Sequence, residues 1–150
     1  MRTVIQRVSR ARVTIQGQVT AEIGTGLLIL VAVAESDTQE DIQWLSGKIS
    51  RLRIFNDENG VMNRAVTEAR GVLLVVSQFT LFASTRKGNR PSYSASARPE
   101  LAIPLYRQFV RQLEQDLSQP VQTGEFGANM AVELVNDGPV TILIDSKLRE

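Results

Sequence analysis

The stretch Leu27-Leu28-Ile29-Leu30-Val31-Ala32-Val33-Ala34 decides the fold class of this chain. An unbroken apolar run of this length predicts a strand that is buried on both faces of a sheet. The turn-forming Gly24-Thr25-Gly26 precedes the run and marks the place where the strand begins. The run is far too short to cross a bilayer, so it belongs to the core of a globular domain.

Strand-like segments lie on both sides of this run, at residues 4–8, 11–15, 72–76, 131–135 and 140–144. Turns such as Gln16-Gly17 join more of these segments than helices do. The pattern predicts an α+β fold with a largely antiparallel, barrel-like sheet.

Two segments show helical periodicity instead. The first begins at Asp37 or Thr38, which can cap a helix, and its apolar stripe is Ile42, Leu45, Ile49 and Leu52. The second begins near Pro99, a favoured first-turn residue, and its stripe is Leu101, Leu105, Phe109, Leu113 and Leu117. Pro104 falls inside the second pattern and predicts a kink or a later start.

The composition is that of one ordinary globular domain, residues 1–150, with a net charge of +1. The chain has no histidine and no cysteine. It therefore lacks the commonest general base, the thiol nucleophile and the usual zinc ligands, and we expect no metal and no cofactor. We expect a cytoplasmic protein without a membrane segment. Because the charge is close to neutral, any contact with RNA must come from local clusters.

Ser77-Gln78-Phe79-Thr80 follows directly on the predicted strand 72–76. Hydroxyls, a side-chain amide and backbone N–H groups that converge on a carbonyl would form an ester-hydrolysing site. The alternative is ordinary hydrogen bonding at the end of a strand. A side-chain triad is disfavoured, because histidine is absent and no lysine lies near Ser77 in the sequence. Proton transfer through the substrate or through water fits these residues better.

The polar loop 84–96 carries Arg86, Lys87 and Arg90, which can either clamp a phosphate or form a solvated basic loop. The glycine-rich segment 123–130 carries Phe126 and Met130. These two side chains either belong to the core or line an apolar pocket beside the polar residues.

Near the C-terminus, Gly138-Pro139 stands where the strand 140–144 should begin. Proline removes a backbone donor at that point, so the step must be a special turn or lie at a strand edge. Gly-Pro is also one of the few steps at which a cis peptide is tolerated, and we predict a cis bond here.

The motifs Ser77-Gln78-Phe79-Thr80-Leu81 and Asn136-Asp137-Gly138-Pro139-Val140-Thr141 resemble those of the D-aminoacyl-tRNA deacylases. Residues 1–8, 87–92 and 123–130 extend the resemblance over essentially the whole chain. The resemblance implies a homodimer with a β-barrel-like fold and an active site at the subunit interface. It also implies chiral proofreading in translation, by hydrolysis of the ester between a D-amino acid and the 3′-terminal adenosine of tRNA. Glycine mischarged on tRNA would be a further substrate.

The resemblance implies roles for the first motif and for the basic loop. Ser77, Gln78 and Phe79 would surround the adenosine and the scissile carbonyl. Thr80 has been regarded as a nucleophile in the family, but assistance by the 2′-hydroxyl of the RNA suits a site without histidine better. Further candidates for contact with the tRNA or the pocket are Lys87, Arg90, Phe126 and Met130.

The second motif receives a different role. Gly138 and Pro139 would be presented to the active site of the other subunit, where their backbone atoms exclude an L side chain. Arg7 resembles the family arginine that orients this segment. The tail 145–150 is a departure to which the resemblance assigns no role.

Two other functions stay open. One is a non-catalytic module that binds an adenosine-ended RNA or a nucleotide through the basic loop. The other is an esterase for small molecules that uses Ser77 or Thr80 as its nucleophile.

Overall fold

The computed structural model describes residues 1–149, and residue 150, the end of the tail and of the predicted domain, lies outside them. The strands, in chain order, are β1 (Arg2–Ile15), β2 (Gln18–Ile23), β3 (Gly26–Ala32), β4 (Phe55–Asn56), β5 (Met62–Arg64), β6 (Val72–Ser77), β7 (Gln122–Thr123) and β8 (Ala131–Asp145). The helices are α1 (Gln39–Ser50), α2 (Pro99–Leu117) and a short 3₁₀ helix, Phe79–Phe82, which we call the site helix.

β1 organises the main sheet, because it pairs with three other strands. Along one edge, its second half pairs with β2 and its first half with β3, both antiparallel. β8 runs antiparallel along the other edge. The sequence predicts two separate strands in place of β1 and two in place of β8. The structure joins each pair into one strand, since both halves share the same neighbour.

The sheet is mixed, which corrects the predicted largely antiparallel arrangement. β6 pairs parallel with β3, and β7 pairs parallel with β6. Parallel neighbours need long crossover connections. The segment that contains α1 supplies the first crossover, and the segment that contains α2 supplies the second. β2 also contacts β6 and β7, so the sheet curls into a nearly closed barrel.

Residues that alternate along β3 contribute to two cores. Leu27, Ile29 and Val31 belong to the large cluster that the two helices cover, whereas Leu28 belongs to a second cluster with residues of β1, β2 and β6. The predicted burial of this strand on both faces is therefore confirmed.

Both helices form where the periodicity predicts them, except that α1 ends at Ser50, so Leu52 of the predicted stripe lies beyond it. Thr38 caps α1, and its backbone amide donates to Asp41 Oδ2 at 2.9 Å. Pro99 lies in the first turn of α2, so the internal Pro104 does not delay the start of that helix. The buried stripe residues are Ile42, Leu45, Ile49, Leu105, Phe109, Leu113 and Leu117. None of the helices in residues 1–149 is long and apolar enough to cross a membrane.

Candidate active site

The polar motif lies at the carboxyl end of the parallel pair β3 and β6. Ser77 is the last residue of β6 and stands opposite Val31 of β3. The backbone N–H of Gln78 donates to the Val31 carbonyl at 2.7 Å, and the chain then turns into the site helix. Because β6 is buried up to Val76, the motif begins where the core ends.

A cavity of about 600 Å³, which we call the site cavity, opens beside this strand end. The predicted site residues that line it are Ser77, Gln78, Phe79, Phe126 and Met130. The structure thus brings two distant segments of the chain together. Phe126 and Met130 line the pocket and also pack against the core, so both alternatives left open for them hold.

Hydrogen bonds fix the motif at the cavity wall. The side-chain amide of Gln78 donates to Thr80 Oγ1, so Thr80 is tied to the site although it does not line the cavity. Ser96 Oγ donates to the Phe79 carbonyl at 2.8 Å. Within residues 1–149, no carboxylate or amine is hydrogen-bonded to Ser77 or Thr80. The arrangement therefore contains no activated hydroxyl of the kind a triad requires.

The floor of the cavity is apolar and aromatic. Tyr106 of α2 contacts Phe126 edge to face, with ring centroids 5.8 Å apart, and its hydroxyl donates to the Val75 carbonyl at 3.0 Å. Burial raises the pKa of Tyr106 to about 12, so this phenol stays neutral at physiological pH. A side chain at Gly124 would collide with the Met130 sulfur, which it would approach to 2.6 Å. Gly124 therefore makes room for Met130 in the wall.

The second motif forms a bulge in β8, residues 136–140, which we call the Gly-Pro turn. Asn136 pairs with Val8 and Thr141 pairs with Gln6, so residues 137–140 stand opposite Arg7 alone. The Gly138–Pro139 peptide is cis, as expected from the sequence. The Asn136 side chain spans the bulge, because it donates to the Val140 carbonyl and accepts from the Val140 N–H, both at 3.0 Å.

Arg7 holds this turn from the interior. Its side chain is 8% exposed. Its guanidinium donates to the Asp137 carbonyl at 2.9 Å, to the Ile54 carbonyl at 2.6 Å and to Asn56 Oδ1 at 3.3 Å. Arg7 thereby links the Gly-Pro turn to the start of the small β4–β5 hairpin.

The Gly-Pro turn does not line the site cavity of its own chain. Arg7 stands opposite Leu27 of β3, whereas the cavity begins at Val31 of the same strand. At about 3.3 Å per residue, the two levels are roughly 13 Å apart along the sheet. Lys87 and Arg90 are exposed on the loop beyond the cavity and do not line it either.

Several residues at the cavity were not predicted from the sequence. Tyr93 and Arg98 lie at its rim, and Tyr106 lies in its floor. An aromatic side chain inside a basic, polar loop is a signal of binding that could have identified Tyr93. The sequence gives no such signal for Tyr106, since this residue fits the pattern of apolar residues in a predicted helix.

Comparisons with known proteins identify relatives of the chain. The family model described as D-Tyr-tRNA(Tyr) deacylase matches residues 4–145. Proteins named D-aminoacyl-tRNA deacylase from Parabacteroides distasonis and Flavobacterium johnsoniae are 61% and 60% identical to the chain over 150 residues, with 100% of each chain covered.

Two solved structures share the fold. The c-Myc DNA unwinding element binding protein superposes with a TM-score of 0.90 at 38% identity, over 97% of this chain and 98% of its own. A probable eukaryotic D-amino acid tRNA deacylase gives a TM-score of 0.81 at 16% identity, over 95% and 97%.

Proposed function

Because the chain belongs to the D-Tyr-tRNA(Tyr) deacylase family, we propose that it hydrolyses the ester between a D-amino acid and the 3′-terminal adenosine of tRNA. The observation that carries the proposal is the site cavity. It offers an apolar and aromatic floor next to a wall of hydroxyl, amide and backbone groups at the end of β6. Such a combination suits a ligand with one flat base, one sugar and one amino-acid side chain.

The proposed chemistry uses no ionised side chain. Arg98 is the one lining residue that carries a charge, and no carboxylate or lysine lines the cavity within residues 1–149. A water molecule attacks the ester carbonyl, and the backbone N–H groups of Phe79 and Thr80 stabilise the oxyanion, since that of Gln78 is bonded to Val31. The bond to the 3′-oxygen then breaks. The 2′-hydroxyl of the terminal ribose passes the proton of the water to that leaving oxygen.

Thr80 is not the nucleophile in this proposal. Its hydroxyl accepts a hydrogen bond from Gln78 and has no base beside it in residues 1–149. Ser77 and Gln78 position the substrate, and Phe79 contacts the adenosine. The product of the reaction is a free D-amino acid and a tRNA with both terminal hydroxyls restored.

We further propose a homodimer in which the Gly-Pro turn of one copy completes the site cavity of the other. Two observations support this. The turn is too far from the cavity of its own chain to touch the same ligand. In addition, the apolar residues of β8 that alternate with exposed ones are only half buried, and these are Val132, Leu134, Val140, Ile142 and Ile144. A second copy would cover them, as expected for a closed two-fold pair.

In the dimer, the backbone of Gly138 and Pro139 would occupy the space that an L side chain needs. The filter acts by exclusion, so it rejects substrates with a side chain on that side of the α-carbon. Glycine has no side chain and therefore passes it. The same geometry thus accounts for the expected activity on glycine mischarged to tRNA.

The test is hydrolysis of matched D- and L-tyrosyl-tRNA by the purified protein in the presence of a chelator. We expect the D substrate to be hydrolysed far faster. Equal rates for both enantiomers would refute the chiral filter. Binding of tRNA without ester hydrolysis would favour the non-catalytic module instead, in line with the DNA element named for one structural relative. A stable acyl adduct on Ser77 or Thr80 in mass spectrometry would favour the esterase.

A further inference from the structure

Two exposed aromatic side chains stand together at the rim of the site cavity. Phe79 is 56% exposed and Tyr93 is 39% exposed, and both line the cavity. Their ring centroids lie 5.1 Å apart with an interplanar angle of 74°. An edge-to-face pair leaves ring faces free. Large aromatic groups that remain exposed at a pocket rim indicate a surface for a flat ligand.

Backbone contacts hold this pair in place. Ser84 and Ser92 exchange two backbone hydrogen bonds, of 2.8 and 2.9 Å, which close the basic loop directly before Tyr93. After Tyr93, the hydroxyl of Ser96 binds the Phe79 carbonyl. Tyr93 therefore sits between the cavity and the exposed cations of the loop, which are Arg86, Lys87 and Arg90.

The size of the cavity limits what it can hold. A volume of about 600 Å³ is in the range of pockets for one small ligand. Under the proposed function, the aminoacylated terminal adenosine fills it. The nucleotide that precedes the adenosine must then lie at the rim, and its phosphates must pass the basic loop. Single-stranded nucleic acid is typically bound by this combination of an aromatic platform and nearby cations.

We propose that Tyr93 forms a second nucleobase subsite, on which the base of the nucleotide before the terminal adenosine stacks. The inference rests on the proposed function and adds a binding element outside the reacting centre. Tyr93 contacts no reacting atom. It binds the RNA, and it acts on the rate only by holding the acceptor end in register with the cavity.

The test compares two substrates: D-tyrosyl-tRNA, which carries that nucleotide together with the rest of the tRNA, and D-tyrosyl-adenosine, which lacks both. Tyr93→Ala should lower kcat/KM for the tRNA substrate by about tenfold, which is the loss expected from one base–aromatic stack. The loss for the adenosine substrate should be clearly smaller, because that substrate lacks the stacking nucleotide and is affected only by the lost contact between Tyr93 and Phe79. Tyr93→Phe keeps the ring and should restore the wild-type value for both substrates.

Salt dependence separates stacking from charge. Lys87→Gln should flatten the dependence of kcat/KM on salt by about one phosphate contact. Tyr93→Ala should keep the wild-type slope, because a phenol neutralises no phosphate.

Three outcomes would overturn the subsite. The first is an equal loss on both substrates, which would mean that Tyr93 merely supports Phe79. The second is no loss on the tRNA substrate. The third is a Tyr93→Phe enzyme as impaired as Tyr93→Ala, which would assign the effect to the hydroxyl. Failure of the wild-type protein to hydrolyse either substrate would instead refute the proposed function.

Discussion

Two arginines of β1, Arg2 and Arg7, hold the two halves of the candidate site in different ways. Arg7 is 8% exposed and donates to the carbonyls of Ile54 and Asp137, so it fixes the Gly-Pro turn from inside the fold. Arg2 is 28% exposed, pairs with Asp145 at 2.9 Å and donates to the Leu81 carbonyl at 2.9 Å. Its guanidinium also lies 4.7 Å from the centre of the Phe82 ring. Arg2 thus holds the site helix from the edge of the sheet.

The difference separates a rigid element from an adjustable one. Removing a buried donor leaves carbonyls without partners, which costs more than losing a partly exposed ion pair. The Gly-Pro turn should therefore keep one shape, as a steric filter requires. The site helix depends on a weaker clamp, so it can adapt to the substrate. Each prediction below breaks or weakens one of these two clamps.

The largest effect is expected from Arg7→Ala. The change leaves the Ile54 and Asp137 carbonyls unpaired, and we expect a loss of about 3 kcal/mol in the free energy of unfolding. Urea denaturation measures this value. Deacylation of D-tyrosyl-tRNA should fall by about two orders of magnitude, because the turn loses the side chain that holds the Asp137 carbonyl. If the Arg7→Ala protein kept wild-type stability and activity, Arg7 would not be what keeps the Gly-Pro turn rigid.

Gly138→Ala tests the same turn while it keeps the Arg7 side chain. Gly138 has φ +146°, and an added Cβ would lie 2.7 Å from Val140 N and Cγ2 and 3.3 Å from Arg7 Nη2. The turn must shift, so we expect about a tenfold loss of kcat/KM for the D substrate and weaker discrimination against the L substrate.

Gly17→Ala is the matched control for this change. Gly17 also has positive φ, at +79°, but an added Cβ would meet no atom within 4 Å. Both variants carry a backbone penalty, and only Gly138→Ala carries a steric clash. Equal activities of the two variants would show that the shape of the turn does not matter for the reaction.

The sequence predicts those parts of the two regions whose signal lies within one short segment of the chain. The apolar run 27–34 and the polar motif after residue 76 are local patterns, and they identified the central strand and the wall of the site. The cavity also needs Tyr106, which no sequence pattern indicated; the parallel pairings of β3, β6 and β7 bring it beside Phe126, which was a candidate. Pairing between distant strands leaves no mark in a single sequence, and for the same reason the mixed sheet was not foreseen.

The bulge opposite Arg7 shows the same limit. Gly138-Pro139 predicted a special turn. How many residues of β8 stay unpaired depends, however, on the register of the β1–β8 pairing on both sides of that turn. The tail also gained a role only from the structure, since Asp145 proved to be the partner of Arg2. A lone arginine at position 2 gives no hint of an acceptor 79 residues away at Leu81.

Arg2→Ala tests the adjustable half. The site helix loses its bond at Leu81 and its contact at Phe82, while the buried strands keep their packing. We expect kcat to fall by about fivefold to tenfold and the free energy of unfolding to fall by about 1 kcal/mol. Arg53→Ala is the control, since Arg53 is exposed and donates to the Asn63 carbonyl at 2.8 Å in the β4–β5 hairpin. If both variants keep full kcat, the clamp at Arg2 has no part in positioning the site helix.

Thr80→Ala should have a smaller effect. It removes the acceptor of the Gln78 side-chain amide, which then orients less well, and we expect kcat to fall by no more than about fivefold. A D-tyrosyl-tRNA whose terminal 2′-hydroxyl is replaced by hydrogen should react more slowly than this with the wild-type protein. Rates measured in single turnover compare the two. A Thr80→Ala enzyme that is slower than the reaction of the deoxy substrate would return Thr80 to the role of nucleophile.

The smallest expected effect concerns acid pH, which should weaken the contacts of Arg2 and leave those of Arg7 nearly unchanged. Burial raises the pKa of Asp145, but hydrogen bonds from the Lys147 N–H and Arg2 and the nearby positive charges outweigh it, so the pKa lies below its usual value. A carboxyl with a lowered folded-state pKa stabilises the fold above its unfolded pKa of about 3.9, and this contribution is lost as the pH falls through the folded value. The main acceptors of Arg7 are carbonyls, which do not titrate in this range. Arg7 also lies 3.3 Å from Asp137 Oδ2, but that side chain is 55% exposed, so this ion pair contributes little to stability. The destabilisation caused by Arg2→Ala should therefore shrink between pH 7 and about pH 3, whereas that caused by Arg7→Ala should stay nearly constant.

Urea unfolding of the wild type and both variants at the two pH values measures this. If the destabilisations caused by Arg2→Ala and by Arg7→Ala shrink equally, the ion pair of Arg2 with Asp145 is not what distinguishes the contacts of the two arginines.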